Sequence, residues 1–559
     1  MRKLLTILLI FCSPLVIRPS FAQDFSSLDR AAAVAATKTI TVEAVRAHMR
    51  FLSDSLLEGR DTGSRGYDIA ARYVAAQMEA MDLQPAGEQG TYFQKVPLRK
   101  AINDGSKSSL VLVGAGKELR LKDVEDYVFG GGLAHTEGTV EAQIVFVGYG
   151  VTAPELNYDD YARVDVHGKV IALLSNAPAR FSSTERAYYA DGNTKARNAV
   201  AHGAVGMLDI LSSEDREDSP WQWVVPQVQA GNREWLGTDG VPHNSFPEAR
   251  AEALLSSHGA DLIFAGAPRS LQQAFETARA SLPQAFPLAW SARMSTLNSH
   301  QSIESQNVVG KIQGSDPTLN GQYVVYTAHL DHVGICPPVE GSNDKVCHGT
   351  LDNASGVATV LEIARAHMRL PQKPRRSVLF LFVTGEEGNL EGSDYFAHYP
   401  TVPIKDIVAD VNIDITPGMR YPCEDLNAIG VEHSSLDRNV EAAAQLTRYK
   451  ITPDAMPEQN FFIRSDHYSF VQQGIPAVFF RNGADGAEAL KKWYKTRYHT
   501  PLDNMEQPIY YEAGVRAAGL IFLTGYGIAQ QDQRPTWNKD DFFGNRFGVR
   551  RSAAPQPTQ

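Results

Sequence analysis

The sequence predicts an α/β protein: a layered domain built on a largely parallel sheet, with a second, β-rich unit inserted into it. Three observations carry this. After Asn307 the segments YVVYTA, SGVATVLEIARAHM, SVLFLFV, DIVADVNI and IPAVFF alternate strand-like and helix-like patterns, as expected when strands are joined through covering helices. SVLFLFV has six unbroken apolar residues, Val378 to Val383, which is the mark of a strand buried on both faces. From roughly Glu137 to Leu282 the texture changes to short strands such as AQIVFVGYG and GKVIALLS, with Gly and Pro punctuation and a helical stretch around Thr194 to His202. The expected divisions are 1–22 as a targeting segment, 23–125 and 291–540 as the two parts of the layered domain, 126–290 as the insertion, and 541–559 as a flexible tail ending in RRSAAPQPTQ.

Taken in order, the chain opens with Arg2 and Lys3, an apolar run from Leu4 to Phe11, and Ser20-Phe21-Ala22. This reads as a secretory signal cleaved near Ala22, giving a secreted or periplasmic protein. The run is too short to span a membrane, and Cys12, behind the bulky Phe11, is not read as a lipidation site. The turn-rich EGRDTGSRG precedes YDIAARYVAAQMEAM, a helix with Ile69, Tyr73, Val74 and Met78 on one face. No internal repeat of fixed period is present.

A length of 559 residues exceeds one ordinary domain. The formal charge of -11 becomes more negative once Arg2, Lys3 and Arg18 leave, which argues against nucleic acid or anionic lipid as the main partner. Cys336 and Cys347 bracket PPVEGSNDKV. In an oxidising compartment a disulfide closing that loop is expected, with Cys423 left free, although the sequence leaves other pairings open.

Four of the later segments end in metal-binding residue types. YVVYTA runs into His329-Leu330-Asp331-His332. LDNASG carries Asp352, SVLFLFV delivers Glu386-Glu387, and VADVNI delivers Asp414; RYHTPLDN then adds His499 beside Asp503. Each alone has an ordinary explanation, such as a strand-end histidine, a helix cap at Asp352 or a solvated Glu-Glu pair. One metal centre accounts for all of them. Zinc takes imidazole nitrogen and carboxylate oxygen, and two ions bridged by a carboxylate are satisfied by His329, Asp352, Glu387, Asp414 and His499. Glu386 is then free to act as a general base, Asp331 is placed to orient the His329 imidazole, and His332 is read as facing the other side of the chain.

AHLDHVG, LDNASG, TGEEGNLEGS, VNIDI and YHTPLDN, in this order, resemble metallopeptidase family 28, the co-catalytic di-zinc aminopeptidases and their relatives. The resemblance covers residues 42–100 and 298–530. It implies a three-layer zinc-exopeptidase fold with a mixed, largely parallel sheet, and two zinc ions. His329 and Asp414 would hold one ion, Glu387 and His499 the other, and Asp352 would bridge them. It further implies Glu386 as acid/base, a cis peptide after Asp352, and peptides with a free N-terminus as substrates of a metal-activated hydroxide. FVGYGVTAPELNYDDYARVDVHGKVIALL and KARNAVAHGAVGMLDI resemble a protease-associated domain. FIRSDHYSF resembles a pocket-lining segment, giving Arg464, Asp466 and His467, with Tyr498, positioning roles. The loop between Cys336 and Cys347 is longer than in the shorter members. Relatives include carboxypeptidases, glutaminyl cyclases and receptors that have lost ligands; the complete five-ligand set favours the hydrolase.

Overall fold

In the computed structural model, which describes residues 27–218 and 220–548, two sheets share a single strand, Phe286–Ile312. Residues 1–22, read from the sequence as a signal and including Cys12, and the final residues of the expected tail lie outside the described residues. The larger sheet runs in the order Asn232–Trp235, Phe93–Asn103, Phe286–Ile312, Ser377–Val383, Tyr323–His329, Ile407–Asn412, Ala477–Asn482, Asp425–Ile429, Lys450–Ile451. From Ser377–Val383 to Ala477–Asn482 the four strands are parallel, and the flanking pairings are mostly antiparallel.

The unbroken apolar run of Ser377–Val383 is explained by this position. Val378, Phe380 and Phe382 face one core with the helix Gly356–Met368, while Leu379, Leu381 and Val383 face another that includes Phe396 and Phe470. Both faces of the sheet are thus covered, giving three layers. The helix Arg65–Ala80 is capped by Ser64 and buries Tyr67, Ala70, Ala71, Val74 and Met78. Ile69 and Tyr73, expected on the buried face, are only half-buried, because contact with the long strand turns small alanines inward.

The second sheet runs Lys117–Arg120, Ser109–Gly114, the first half of Phe286–Ile312, Glu137–Phe146, Val170–Leu174, Gly206–Ile210, Glu252–Leu255, Tyr127–Phe129. Its strands come from both inside and outside residues 126–290. Ser109–Gly114 already belongs to the inserted unit, ahead of residue 126; residue 290 falls inside the shared strand; and Asn232–Trp235 returns from the insertion to pair with Phe93–Asn103. The start of the expected tail is a helix, Phe542–Phe547, whose Phe543 is buried against Phe462 with ring centroids 4.6 Å apart. Among the described residues, no helix is long and apolar enough to cross a membrane.

Candidate metal centre

Strand register brings the chemistry to one edge. The parallel pairing sets His329 level with Val383 and Thr327 level with Asn412, so His329 is level with Asp414, two residues past the Thr327–Asn412 pair. This is the carboxyl end of the parallel strands, where open α/β sheets place their ligands. Between Val383 and Glu386 the chain turns through Gly385 at φ 72°, where a Cβ would lie 2.2 Å from Glu391 Oε2. A side chain there would displace the glutamate pair.

Asp352 sits between two histidines. Its Oδ1 is 3.3 Å from His329 Nε2 and its Oδ2 is 3.4 Å from His499 Nε2. His329 Nε2 is also 3.5 Å from Asp414 Oδ1, and His499 Nε2 is 2.8 Å from Glu387 Oε2. Neither Nε2 atom makes a hydrogen bond, although both are buried. Donors around a tetrahedral zinc with bonds of ~2.0–2.1 Å stand about 3.3–3.4 Å apart, so these separations fit ligand edges.

The electrostatics point the same way. Against burial, which disfavours its charge, His329 is raised well above the ordinary imidazole range by Glu386, Asp352 and Asp414. His499 is pushed up to about 10 by Glu387 and Asp352, again against burial. Glu387 is lowered to about 2 despite burial, chiefly by His499. A buried centre that draws protons onto its histidines is one that demands positive charge, which a divalent ion supplies. The N/O donor set fits zinc. Glu386, 3.9 Å from His329 Nε2, is raised well above the carboxylate range, first by burial and further by Asp414 and Glu387.

The supporting contacts differ from the sequence reading in two places. The Asp331 carboxylate is 3.9 Å from His329 Nδ1, and the closer neighbour of that nitrogen is the Asp331 main-chain carbonyl, at 3.3 Å. The carboxylate instead accepts the main-chain N–H groups of Glu386 and Glu387, at 3.2 and 3.4 Å, and the Thr62 hydroxyl at 3.1 Å. His332, read as facing away, places Nδ1 2.6 Å from Glu387 Oε1 and joins Asp352, Glu387 and His499 as a fourth candidate donor. The backbone after His329 leaves the sheet, so strand alternation no longer decides the direction of residue 332.

The peptide between Asp352 and Asn353 is cis. Asn353 links two ligand loops: its Nδ2 donates to Ile413 O at 2.9 Å, and its Oδ1 accepts from Ile415 N at 2.9 Å, on either side of Asp414. Asp503, to which the sequence assigned no role, accepts the N–H groups of Leu351 and Asp352 at 3.0 and 3.1 Å. Its place in YHTPLDN, four residues after His499, was the available signal. Arg60, also missed, is fully buried and donates to Leu330 O at 3.0 Å and Gly349 O at 3.0 Å.

Of the expected positioning residues, Arg464 and Tyr498 line the pocket beside Asp352, Glu386 and Asp414, and Tyr498 stacks on His499 at 3.7 Å. Asp466 and His467 are fully buried behind it. His467 packs between Phe462 and Phe479 and is lowered to about 3 by burial. Cys336 and Cys347 form a disulfide, and Cys423 is free and buried.

Residues 307–523 match the family model described as Peptidase family M28, a segment that contains all five candidate ligands. Aminopeptidase YwaD of Bacillus subtilis (strain 168) is 26% identical over 395 residues, which is 69% of this chain and 69% of that protein. Aminopeptidase NAALADL1 of Rattus norvegicus is 27% identical over 321 residues, covering 50% of this chain but 39% of the rat protein, so the chain spans well under half of that relative. Among solved structures, the aminopeptidase from Aneurinibacillus sp. strain AM-1 superposes with a TM-score of 0.52 at 21% identity, covering 88% of this chain and 94% of that one. At that identity the likeness is one of fold.

Proposed function

We propose, from the premise that residues 307–523 belong to peptidase family M28, that this protein is a zinc-dependent aminopeptidase working outside the cytoplasm. The observation carrying this reading is the Asp352 carboxylate, whose two oxygens face two buried, unbonded imidazole nitrogens, His329 Nε2 and His499 Nε2. In this assignment His329 and Asp414 would hold one ion, His499 and Glu387 another, and Asp352 would serve both. Two such ions would polarise a scissile carbonyl and acidify a water.

The chain's own residues do the remainder. Glu386 takes the water's proton and returns it to the leaving amine, a task suited to a buried carboxyl with a raised pKa. Asp331 fixes the backbone on which Glu386 and Glu387 stand. Asn353 and Asp503 fix the loops of Asp414 and Asp352. Tyr498 and Arg464 shape the pocket. The aminopeptidase relatives support peptides as substrates, and the acidic chain disfavours nucleic acid. The disulfide supports an oxidising compartment, in keeping with the signal read at residues 1–22. The inserted β-rich unit is read as a protease-associated domain that backs one wall of the cleft, since its helix Ser183–Ala190 packs on Phe461–Ile463.

The test is metal analysis of protein purified without chelator, with aminoacyl chromogenic substrates and amino-blocked dipeptides assayed with and without chelator. Two equivalents of zinc and chelator-sensitive cleavage of free-amino substrates alone are expected. Cleavage of the blocked dipeptide would move the reading to a carboxypeptidase, and a metal-free, inert protein would reject it.

A further inference from the structure

Next to the metal centre the pocket wall carries guanidinium groups that have no carboxylate of their own. Register sets Asn412 level with Phe479, which brings Arg481 level with Asp414 at the same sheet edge. Arg481 is 4% exposed and lies over the Phe461 ring. Its Nη2 donates to Tyr494 Oη at 2.6 Å, and Arg420, itself 7% exposed, donates to the same oxygen at 3.3 Å. Arg464 lines the same pocket, donates through Nη1 to the main-chain and side-chain oxygens of Gln459 at 3.2 and 3.4 Å, and is hydrogen-bonded to Tyr498. Among the described residues none of the three arginines forms an ion pair.

Buried charges are ordinarily paired, because an isolated one is costly to desolvate. The acids at the pocket's other end, Asp352, Glu386 and Asp414, are committed to ions and a proton in the proposed function, on which this step rests. With those charges spent, the buried Arg481 is left without a counter-ion, and Arg464, exposed on the pocket lining, adds a second cation. Tyr494 Oη accepts from two guanidiniums, so its own O–H is left to donate, and Tyr494 also lines the cavity. Phe461, Phe479 and Ile415 supply apolar walls between the two ends.

We propose that this pocket binds a carboxylate of the substrate, that of an acidic N-terminal side chain, which Arg481, Arg464 and the Tyr494 hydroxyl hold while the amino end meets the metal centre. Charged, hydrogen-bonding pockets discriminate far more strongly than apolar ones, since the wrong substrate leaves their groups unpaired. Arginine suits this role because its planar fork matches a carboxylate.

The experiment compares 4-nitroanilides of Glu, Asp and Leu, which lack an α-carboxylate, with Leu-Gly and its C-terminal amide. The expected result is a kcat/KM for Glu or Asp about 10-fold or more above Leu, with that ratio collapsing in Arg481→Met and in the more exposed Arg464→Met. The thermal midpoint of each variant checks its folding. A preference for Leu would overturn the proposal while leaving the peptidase reading intact. Preference for Leu-Gly over its amide, without preference for Glu, would overturn it by assigning the arginines to a C-terminal carboxylate. If no substrate is cleaved, the peptidase reading falls and binding of free L-glutamate decides the pocket. A thermal shift with L-glutamate but not L-leucine, lost in both variants, supports the proposal; no shift in the wild type overturns it.

Discussion

The carboxylate of Asp331 accepts the main-chain N–H of Glu386 at 3.2 Å, and its second oxygen accepts that of Glu387 at 3.4 Å. One buried acid therefore sets where both glutamates stand, one assigned to the proton and the other to an ion. Asp331→Asn keeps the volume but turns an amide NH₂ against one of these donors. We expect kcat to fall roughly 10- to 100-fold, with KM little changed. A wild-type kcat would show that the Glu386 position is set elsewhere.

The two adjacent glutamates should separate by measurement. Glu386→Gln removes the proposed base and should cost ~10²–10⁴ in kcat while metal content stays at the wild-type level. Glu387→Gln removes a proposed ligand, so metal content and activity should fall together. Metal analysis beside steady-state rates reads both, and the opposite pattern would exchange the assignments.

Gly356 is crowded by the clamp on Asp414. A Cβ there would lie 2.2 Å from Asn353 Oδ1 and 2.5 Å from Ile413 O, which are the atoms that hold the backbone on either side of Asp414. Gly356→Ala should weaken metal retention by roughly 10- to 100-fold, an effect readable by competition with a chelating dye. Unaltered retention would mean that Asp414 is placed without Asn353.

Acid should destabilise the fold through His367, which is 1% exposed among Tyr326, Phe380 and Phe522 and lowered to about 3 by burial. The unfolded imidazole titrates near ~6.5, so below that pH the unfolded chain gains a proton that the native state refuses until about 3. Stability is thus present above the unfolded pKa and lost as pH falls. From pH 7 to pH 5 the wild type should lose about 2 kcal/mol more than His367→Phe in urea unfolding. Parallel losses would indicate that the ring is protonated in the native state.

Arg233 reaches from the strand Asn232–Trp235 to Glu391, with Nε 2.9 Å from Oε1 and side-chain exposures of 12% and 0%. Arg233→Met strands a buried carboxyl, with an expected cost of about 3–5 kcal/mol in chemical unfolding. Adding Glu391→Gln should restore part of the loss, because the uncompensated charge disappears. Additive losses would show that the pair is not coupled.

The sequence exposed the short-range part of this design. Strands ending in His329, Glu386-Glu387 and Asp414 were legible because burial on both faces leaves a plain apolar signature, and ligands follow directly at the strand ends. The Cys336–Cys347 loop was legible because its cysteines are close in sequence. What stayed hidden depends on atoms far apart in the chain. Asp331 serves the backbone 55 residues later, Asp503 holds the amide of a residue 151 positions earlier, and Arg233 crosses from the insertion to Glu391. The pairing of Ser109–Gly114 with Phe286–Ile312 was hidden because the strand carries no mark of which sheet it joins. His332 was misread because the rule of alternating sides ends where the strand ends.

The strand Phe286–Ile312 gives the inserted unit a mechanical meaning. Its residues 291–297 are hydrogen-bonded into the inserted sheet, and its residues 308–312 lie against Ser377–Val383, the strand that delivers Glu386. The second sheet and the strand that precedes Glu386 are therefore joined through one continuous backbone. The same continuity forbids modular surgery: excising the insertion at residues 126 and 290 would leave Ser109–Gly114 without its sheet and cut the beam on which the larger sheet rests.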